Sequence, residues 1–277
     1  MRRVLPRSLL GQMLLAVAIA LLVAQTISAV LLYRAQEQRR EFGVLNGAAF
    51  SLAVDVRNPD SEAETLRERR ADLVYVCNPD TPTGTMLPPE RIRSFCEAAS
   101  ETCPVFLDEV YLELLEDFRS QTQVGLVREG FPVVIGRSFS KMHGLAGHRV
   151  GYAIGPAELL KQMGELKMSS LGYLGVIAAL ASVGDDAFHR QSVRLITQGR
   201  ERFCGLLDEL GLKYTPSFGN FVFHHTGREI RAFQATMKER GFLVGRPFPP
   251  YDDWCRISIG NPQEMAKYEQ AMREVFA

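Results

Sequence analysis

Residues 133–154 read VVIGRSFSKMHGLAGHRVGYAI, and the change of character along this stretch decides the fold. Val133–Ile135 is a short apolar run, Arg137–His143 is polar, and Val150–Ile154 is apolar again. Runs of that length suit strands buried on both faces, and a polar segment at a strand end is where α/β sheets build their sites. Upstream, Val105–Leu107 leads into Asp108, and Leu73–Val76 is bounded by Asp72 and the Asn78-Pro79 turn signal. Between these two runs, Pro88 and Pro89 stand where a helix can begin, and ERIRSFCEAAS follows with helical spacing. Strands alternating with helices imply an α/β fold with a mostly parallel sheet flanked by helices.

Past Gly184 the pattern shifts. A long helix is expected from about Asp185 to Leu210, ending at Gly211. Then come a strand at Phe221–Phe223, a helix near Arg228–Arg240, strands near Phe242–Val244 and Cys255–Ile259, and a last helix. This reads as a small α+β domain over 185–277, behind a larger domain over 54–184.

The bulk numbers exclude several classes. The chain has 277 residues, 46% hydrophobic and 23% charged, the balance of a globular protein. Lys plus Arg and Asp plus Glu are equal at 32 each, so no overall basic field invites nucleic acid. The five cysteines show no C-x-x-C pair and read as free thiols, not a disulfide framework. His224 and His225 adjoin in a strand, point to opposite faces, and so do not share a metal.

Residues 1–53 differ from the rest. Leu9–Tyr33 carries no charged residue and as a helix would span roughly 37 Å, against a hydrocarbon core of about 30 Å. A transmembrane helix is expected there. The run is long for a signal peptide, and its few polar residues make a poor stripe for a soluble core helix. Arginines at 2, 3 and 7 before the span and at 34, 39 and 40 after it leave its orientation undecided. The whole segment resembles the start of a bacterial sensor histidine kinase, although neither a phospho-acceptor helix nor an ATP lid follows.

Four strand-end motifs carry the chemistry. They are Asn78-Pro79-Asp80-Thr81-Pro82-Thr83-Gly84, Asp108-Glu109-Val110-Tyr111, Ser138-Phe139-Ser140-Lys141, and Gly144-Leu145-Ala146-Gly147-His148-Arg149-Val150-Gly151. In this order, and followed by Arg256-Ile257-Ser258-Ile259-Gly260, they resemble the class I/II aminotransferases, in particular the histidinol-phosphate branch. The resemblance runs from about Asp55 to Ala277. It implies a fold type I architecture, pyridoxal 5'-phosphate as cofactor, and transamination between an amino donor and a 2-oxo acid. An amino acid or amino-phosphate such as histidinol phosphate, with 2-oxoglutarate, is the expected pair, and a threonine-phosphate decarboxylase or an aromatic aminotransferase would share these motifs.

The resemblance also implies roles. Lys141 is the amine that carries the cofactor aldehyde and then moves the proton. Asp108 holds the pyridine nitrogen protonated, although a strand-end aspartate also serves as a plain helix cap. Tyr111 and Asn78 match the partners of the ring hydroxyl. Ser138, Ser140 and Arg149 match the phosphate ligands, Arg149 offering a planar fork. Arg256 matches the grip on the substrate carboxylate. Asn220 is either its helper or a turn residue.

The chain departs from the family at its start. The family's N-terminal arm, its glycine-rich loop before a helix, and the aromatic that stacks on the cofactor ring have no counterpart in 1–53. Two readings follow. One is a membrane-anchored transaminase, a homodimer like its soluble relatives, with the enzyme part in the cytoplasm. The other is a non-catalytic, membrane-tethered chimera of a sensor-kinase start and an aminotransferase fragment.

Overall fold

The computed structural model describes residue 66, residues 71–166 and residues 170–276. The chain divides into two units, Met1–Ala53 and Val54–Ala277, and every described residue lies in the second. The Leu9–Tyr33 span and the kinase-like stretch lie outside the described residues. Among the described residues no helix is long and apolar enough to cross a membrane.

Four strands make the first sheet: β1 (Val74–Cys77), β2 (Val105–Asp108), β3 (Val133–Ser138) and β4 (Gly151–Ile154). They lie in the order β1-β2-β3-β4, the first three parallel and β4 antiparallel to β3. Helix α1 (Pro89–Ser100) crosses between β1 and β2, with proline at its start where a missing N–H costs nothing. It buries Ile92, Phe95, Cys96 and Ala99, one stripe at helical spacing, and packs on β2. Short helices α2 (Phe118–Gln121) and α3 (Val124–Arg128) lead into β3. β3 runs farther than its apolar letters suggest, because Arg137 is itself buried and paired with Glu109.

After β4 come α4 (Ala157–Glu165), α5 (Tyr173–Val183) and the long α6 (Asp186–Glu209). Asp185 caps α6 by accepting from the Phe188 N–H at 2.9 Å, and Gly211, at φ 66°, turns the chain out of it. A two-stranded antiparallel sheet, β5 (Phe221–His225) with β6 (Trp254–Ser258), packs with α6, α7 (Ile230–Glu239) and α8 (Pro262–Phe276). Their shared core holds Phe203, Leu207, Val222, Phe233, Cys255 and Met272, each less than 1% exposed.

The expected strand at Phe242–Val244 does not form. Its polar backbone is drawn elsewhere: the Phe242 N–H donates to Met237 O at 2.9 Å, and Gln234 Nε2 donates to Gly245 O at 2.7 Å. Prolines at 247, 249 and 250 then deny the segment donors for a ladder.

His224 is buried in this second core. Its Nδ1 donates to His225 O at 2.9 Å, a carbonyl that can only accept, and its Nε2 is left without a partner. Burial, the largest cause, lowers the imidazole to about 4 from an ordinary 6.5. The folded state therefore resists protonating this ring. Its contribution to stability is whole above about pH 6.5 and is lost as the pH falls toward about 4. Urea unfolding should show on the order of 2 kcal/mol lost between pH 7 and pH 5 from this group. His224→Phe should remove that part of the slope.

Candidate active site

The parallel register sets Cys77, Asp108 and Gly136 side by side at the carboxyl ends of β1, β2 and β3. Asn78 follows β1, Tyr111 follows β2, and Ser138 ends β3 with Lys141 three residues on. The sequence motifs thus converge on one edge of the sheet, the edge where open α/β sheets bind ligands.

Asp108 lines a cleft of about 370 Å³ with Phe106, Val110, Gly136, Gly151, Tyr152 and Met163 among its walls. Its Oδ1 accepts from the Val110 N–H at 3.1 Å, and its Oδ2 accepts from the Tyr75 hydroxyl. Burial pushes the carboxyl above its ordinary range, against the opposing pull of Tyr75, the Val110 N–H and the Lys141 charge. Burial first, and then Asp108, drive the neighbouring Cys77 thiol upward, so it stands as a neutral group.

Lys141 stands outside the cleft's lining. Its Nζ lies 4.9 Å from the centre of the Tyr111 ring, and no carboxylate among the described residues pairs with it. The next residue, Met142, is buried with Tyr111, Leu114 and Phe221 and pins the lysine's backbone. Tyr111 meets Phe221 edge-on at 5.2 Å, and the Arg256 guanidinium lies 5.0 Å from the Phe221 ring. Aromatic contacts thereby join the amine to the arginine on β6.

The loop from Phe139 to Arg149 is closed on itself. The Ser140 N–H donates to Ser138 Oγ at 3.1 Å. Arg149 Nη1 donates to Ala146 O at 3.1 Å and to Ser140 Oγ at 3.4 Å. Arg149 is, among the described residues, the non-glycine residue held at positive φ, 53°, which costs about 1 kcal/mol or more. Behind the loop, buried Arg137 binds Glu109 at 2.7 Å and Glu113 at 3.2 Å. Burial pushes the Glu113 carboxyl up, but His143 and Arg137 together hold it below its ordinary range.

Two sequence-chosen residues take other positions. Asn78 spends both ends of its amide on Leu87: Oδ1 accepts from the Leu87 N–H at 2.9 Å and Nδ2 donates to Leu87 O at 3.3 Å. It pins the 78–87 loop beside the site. Asn220 acts through its backbone, its carbonyl accepting from the Ile259 N–H at 2.9 Å. Three residues given no role from the sequence, Thr81, Arg246 and Phe248, stand beside Arg256 or its rings. Thr81 Oγ1 accepts from Arg256 Nη1 at 2.7 Å, and Arg246 and Arg256 both lie over Phe248, at 4.2 and 5.0 Å. The Thr81 contact joins residues 175 apart, so no local pattern announces it.

The fold and the strand-edge motifs fit one family. The chain belongs to the class I and II aminotransferases, which match it over residues 51–271. Among its relatives, histidinol-phosphate aminotransferase 2 of Ralstonia nicotianae is 35% identical over 211 residues, covering 74% of this chain and 56% of that protein. Histidinol-phosphate aminotransferase 2 of Carboxydothermus hydrogenoformans is 31% identical over 239 residues, 84% of this chain and 66% of that one. The chain therefore spans between about half and two thirds of the length of these relatives. The crystal structure of the Sinorhizobium meliloti histidinol-phosphate aminotransferase, in complex with pyridoxal-5'-phosphate, is 28% identical. It superposes with a TM-score of 0.72 over 80% of this chain and 62% of that one.

Proposed function

We propose that this chain is a pyridoxal-phosphate-dependent transaminase that moves an amino group from a substrate such as histidinol phosphate to 2-oxoglutarate. One observation carries the reading: an amine without a carboxylate partner among the described residues, Lys141, lies over Tyr111, and its charge acts on half-buried Asp108. The donor set suits a phosphorylated pyridine aldehyde, which needs an amine, a carboxylate and anion ligands. Bound, the cofactor supplies an aldehyde for the substrate amine and an electron-poor ring that takes up charge when the α C–H bond breaks.

The chain's own residues supply the rest. Nζ of Lys141 would take the proton from the substrate's α-carbon and hold it as an ammonium for redelivery. Asp108 holds a proton on the ring nitrogen. Ser138, Ser140 and Arg149 hold the phosphate, and the strain at Arg149 is consistent with a guanidinium held for an anion. The Tyr111 hydroxyl serves the ring oxygen. Arg256, steadied by Thr81 and two aromatic rings, grips a carboxylate.

The test is glutamate formation by the full chain given pyridoxal phosphate, histidinol phosphate and 2-oxoglutarate. Turnover with other amino acids but not histidinol phosphate would replace the substrate. The second reading, a non-catalytic tethered chimera, draws on the exposure of Leu73 (49%) and Tyr75 (37%), just before and along β1. Failure to retain cofactor at all would favour it.

We infer further that Leu9–Tyr33 anchors the protein with its enzyme part in the cytoplasm, and that two copies associate. Hydropathy supports the anchor, and carbonate extraction of membranes checks it. The exposed apolar residues Tyr173, Leu174 and Leu180 on α5 support the pairing, and sizing in detergent checks that.

A further inference from the structure

We propose that Tyr75 is a positioning residue for the transamination described above. Its hydroxyl, donated to Oδ2 of Asp108, holds that carboxylate ionised and aimed at the ring nitrogen of the bound cofactor. The inference rests on that reading of the site and adds a residue to it.

The sheet itself places the phenol. Parallel register pairs Tyr75 with Phe106, and their rings lie 5.7 Å apart and 6° from parallel. Phe106 in turn lies across Gly136, where a Cβ would come within 2.7 Å of its Cζ. A side chain at 136 would lift Phe106 and disturb the stack that sets Tyr75. Asp108 is consequently held at both oxygens, by the Tyr75 hydroxyl at Oδ2 and the Val110 N–H at Oδ1. Its plane is fixed, and lone pairs remain on both oxygens for a further donor.

The chemistry gives the phenol a direction of effect. A carboxylate facing a pyridine nitrogen shares one proton with it: either nitrogen is protonated and Asp108 charged, or Asp108 is protonated and both are neutral. Burial favours the neutral pair, and donors to the carboxylate favour the charged one. Burial, and then Asp108 itself, push the Tyr75 hydroxyl well above its ordinary range, so it remains a donor at any working pH. Removing it makes Asp108 more basic and draws the proton from nitrogen to oxygen.

Tyr75→Phe tests this, since it keeps the ring stack and deletes only the hydroxyl. The full chain is loaded with ¹⁵N-labelled pyridoxal phosphate, and the ring-nitrogen shift is followed by NMR, with circular dichroism to verify folding. The wild-type nitrogen should show the protonated value. In Tyr75→Phe it should move toward neutral pyridine, by about a tenfold change in proton distribution. Phe106→Leu, which loosens the stack but keeps the phenol, should move it the same way by less, and it carries the test if Tyr75→Phe does not fold. An unchanged shift in a loaded variant overturns the role of Tyr75. A wild-type chain that shows no bound ring signal overturns the underlying reading of the site instead.

Discussion

Lys141→Ala should abolish amino transfer by the full chain, lowering turnover by at least about a thousandfold. Its unfolding midpoint should hardly move. The two halves of this expectation come from the same geometry. Lys141 Nζ lies 4.9 Å from the Tyr111 ring, and such a cation–π contact contributes at most about 1 kcal/mol at a partly exposed position. Packing of the loop depends on Met142, not on the lysine. Catalysis, in contrast, has no second amine to turn to. Steady-state rates together with thermal melts check both halves. Retention of more than a few per cent of turnover would mean that another group moves the proton. A large drop in melting temperature would mean that the lysine is structural.

The largest stability effect is expected away from the chemistry, at Glu109→Ala. Its carboxylate accepts from Arg137 Nε at 3.0 Å and Nη2 at 2.7 Å, from Thr122 Oγ1 at 2.8 Å and from the Gln123 N–H at 2.9 Å. The Glu109 and Arg137 side chains are 2% and 5% exposed. Alanine would strand a guanidinium in the interior, which costs about 3–5 kcal/mol. Glu113 would offset part of the loss, because it already binds Arg137 at 3.2 Å. Urea unfolding monitored by circular dichroism measures the change, and a loss under about 1 kcal/mol would show that Arg137 escapes to solvent. Arg137 immediately precedes Ser138, so the same variant should also weaken retention of the phosphate.

How much of this was legible in the sequence depends on how local each cause is. The three parallel strands announce themselves as short apolar runs closed by Asn78, Asp108 and Ser138, because a strand covered on both faces must be apolar throughout. The long helix 186–209 is equally plain, with its aspartate cap and terminal glycine. Phe242–Val244 misled, because its apolar letters pack on the second core while its backbone bonds go to α7. Burial pattern alone cannot separate such a segment from a strand.

The site divides along the same line. Lys141, Asp108 and Tyr111 lie within motifs, and the sheet edge gathers them. Asn78 bears the right side chain for a ligand, but nine residues on, Leu87 takes its amide. Thr81 and Tyr75 owe their importance to partners 175 and 33 residues away, and only folding reveals which side chains those are. Buried Arg137 is a similar case: read as part of a polar loop, it turns out to extend β3 because Glu109 neutralises it.

The most direct measurement is covalent. The full chain is incubated with pyridoxal phosphate, reduced with borohydride, digested and sequenced by mass spectrometry. The phosphopyridoxyl mass should be fixed on the peptide containing Lys141, at close to one per chain. Absence of the label, or its spread over surface lysines with Lys141 unmodified, would contradict the proposal that this amine is the centre of a cofactor site.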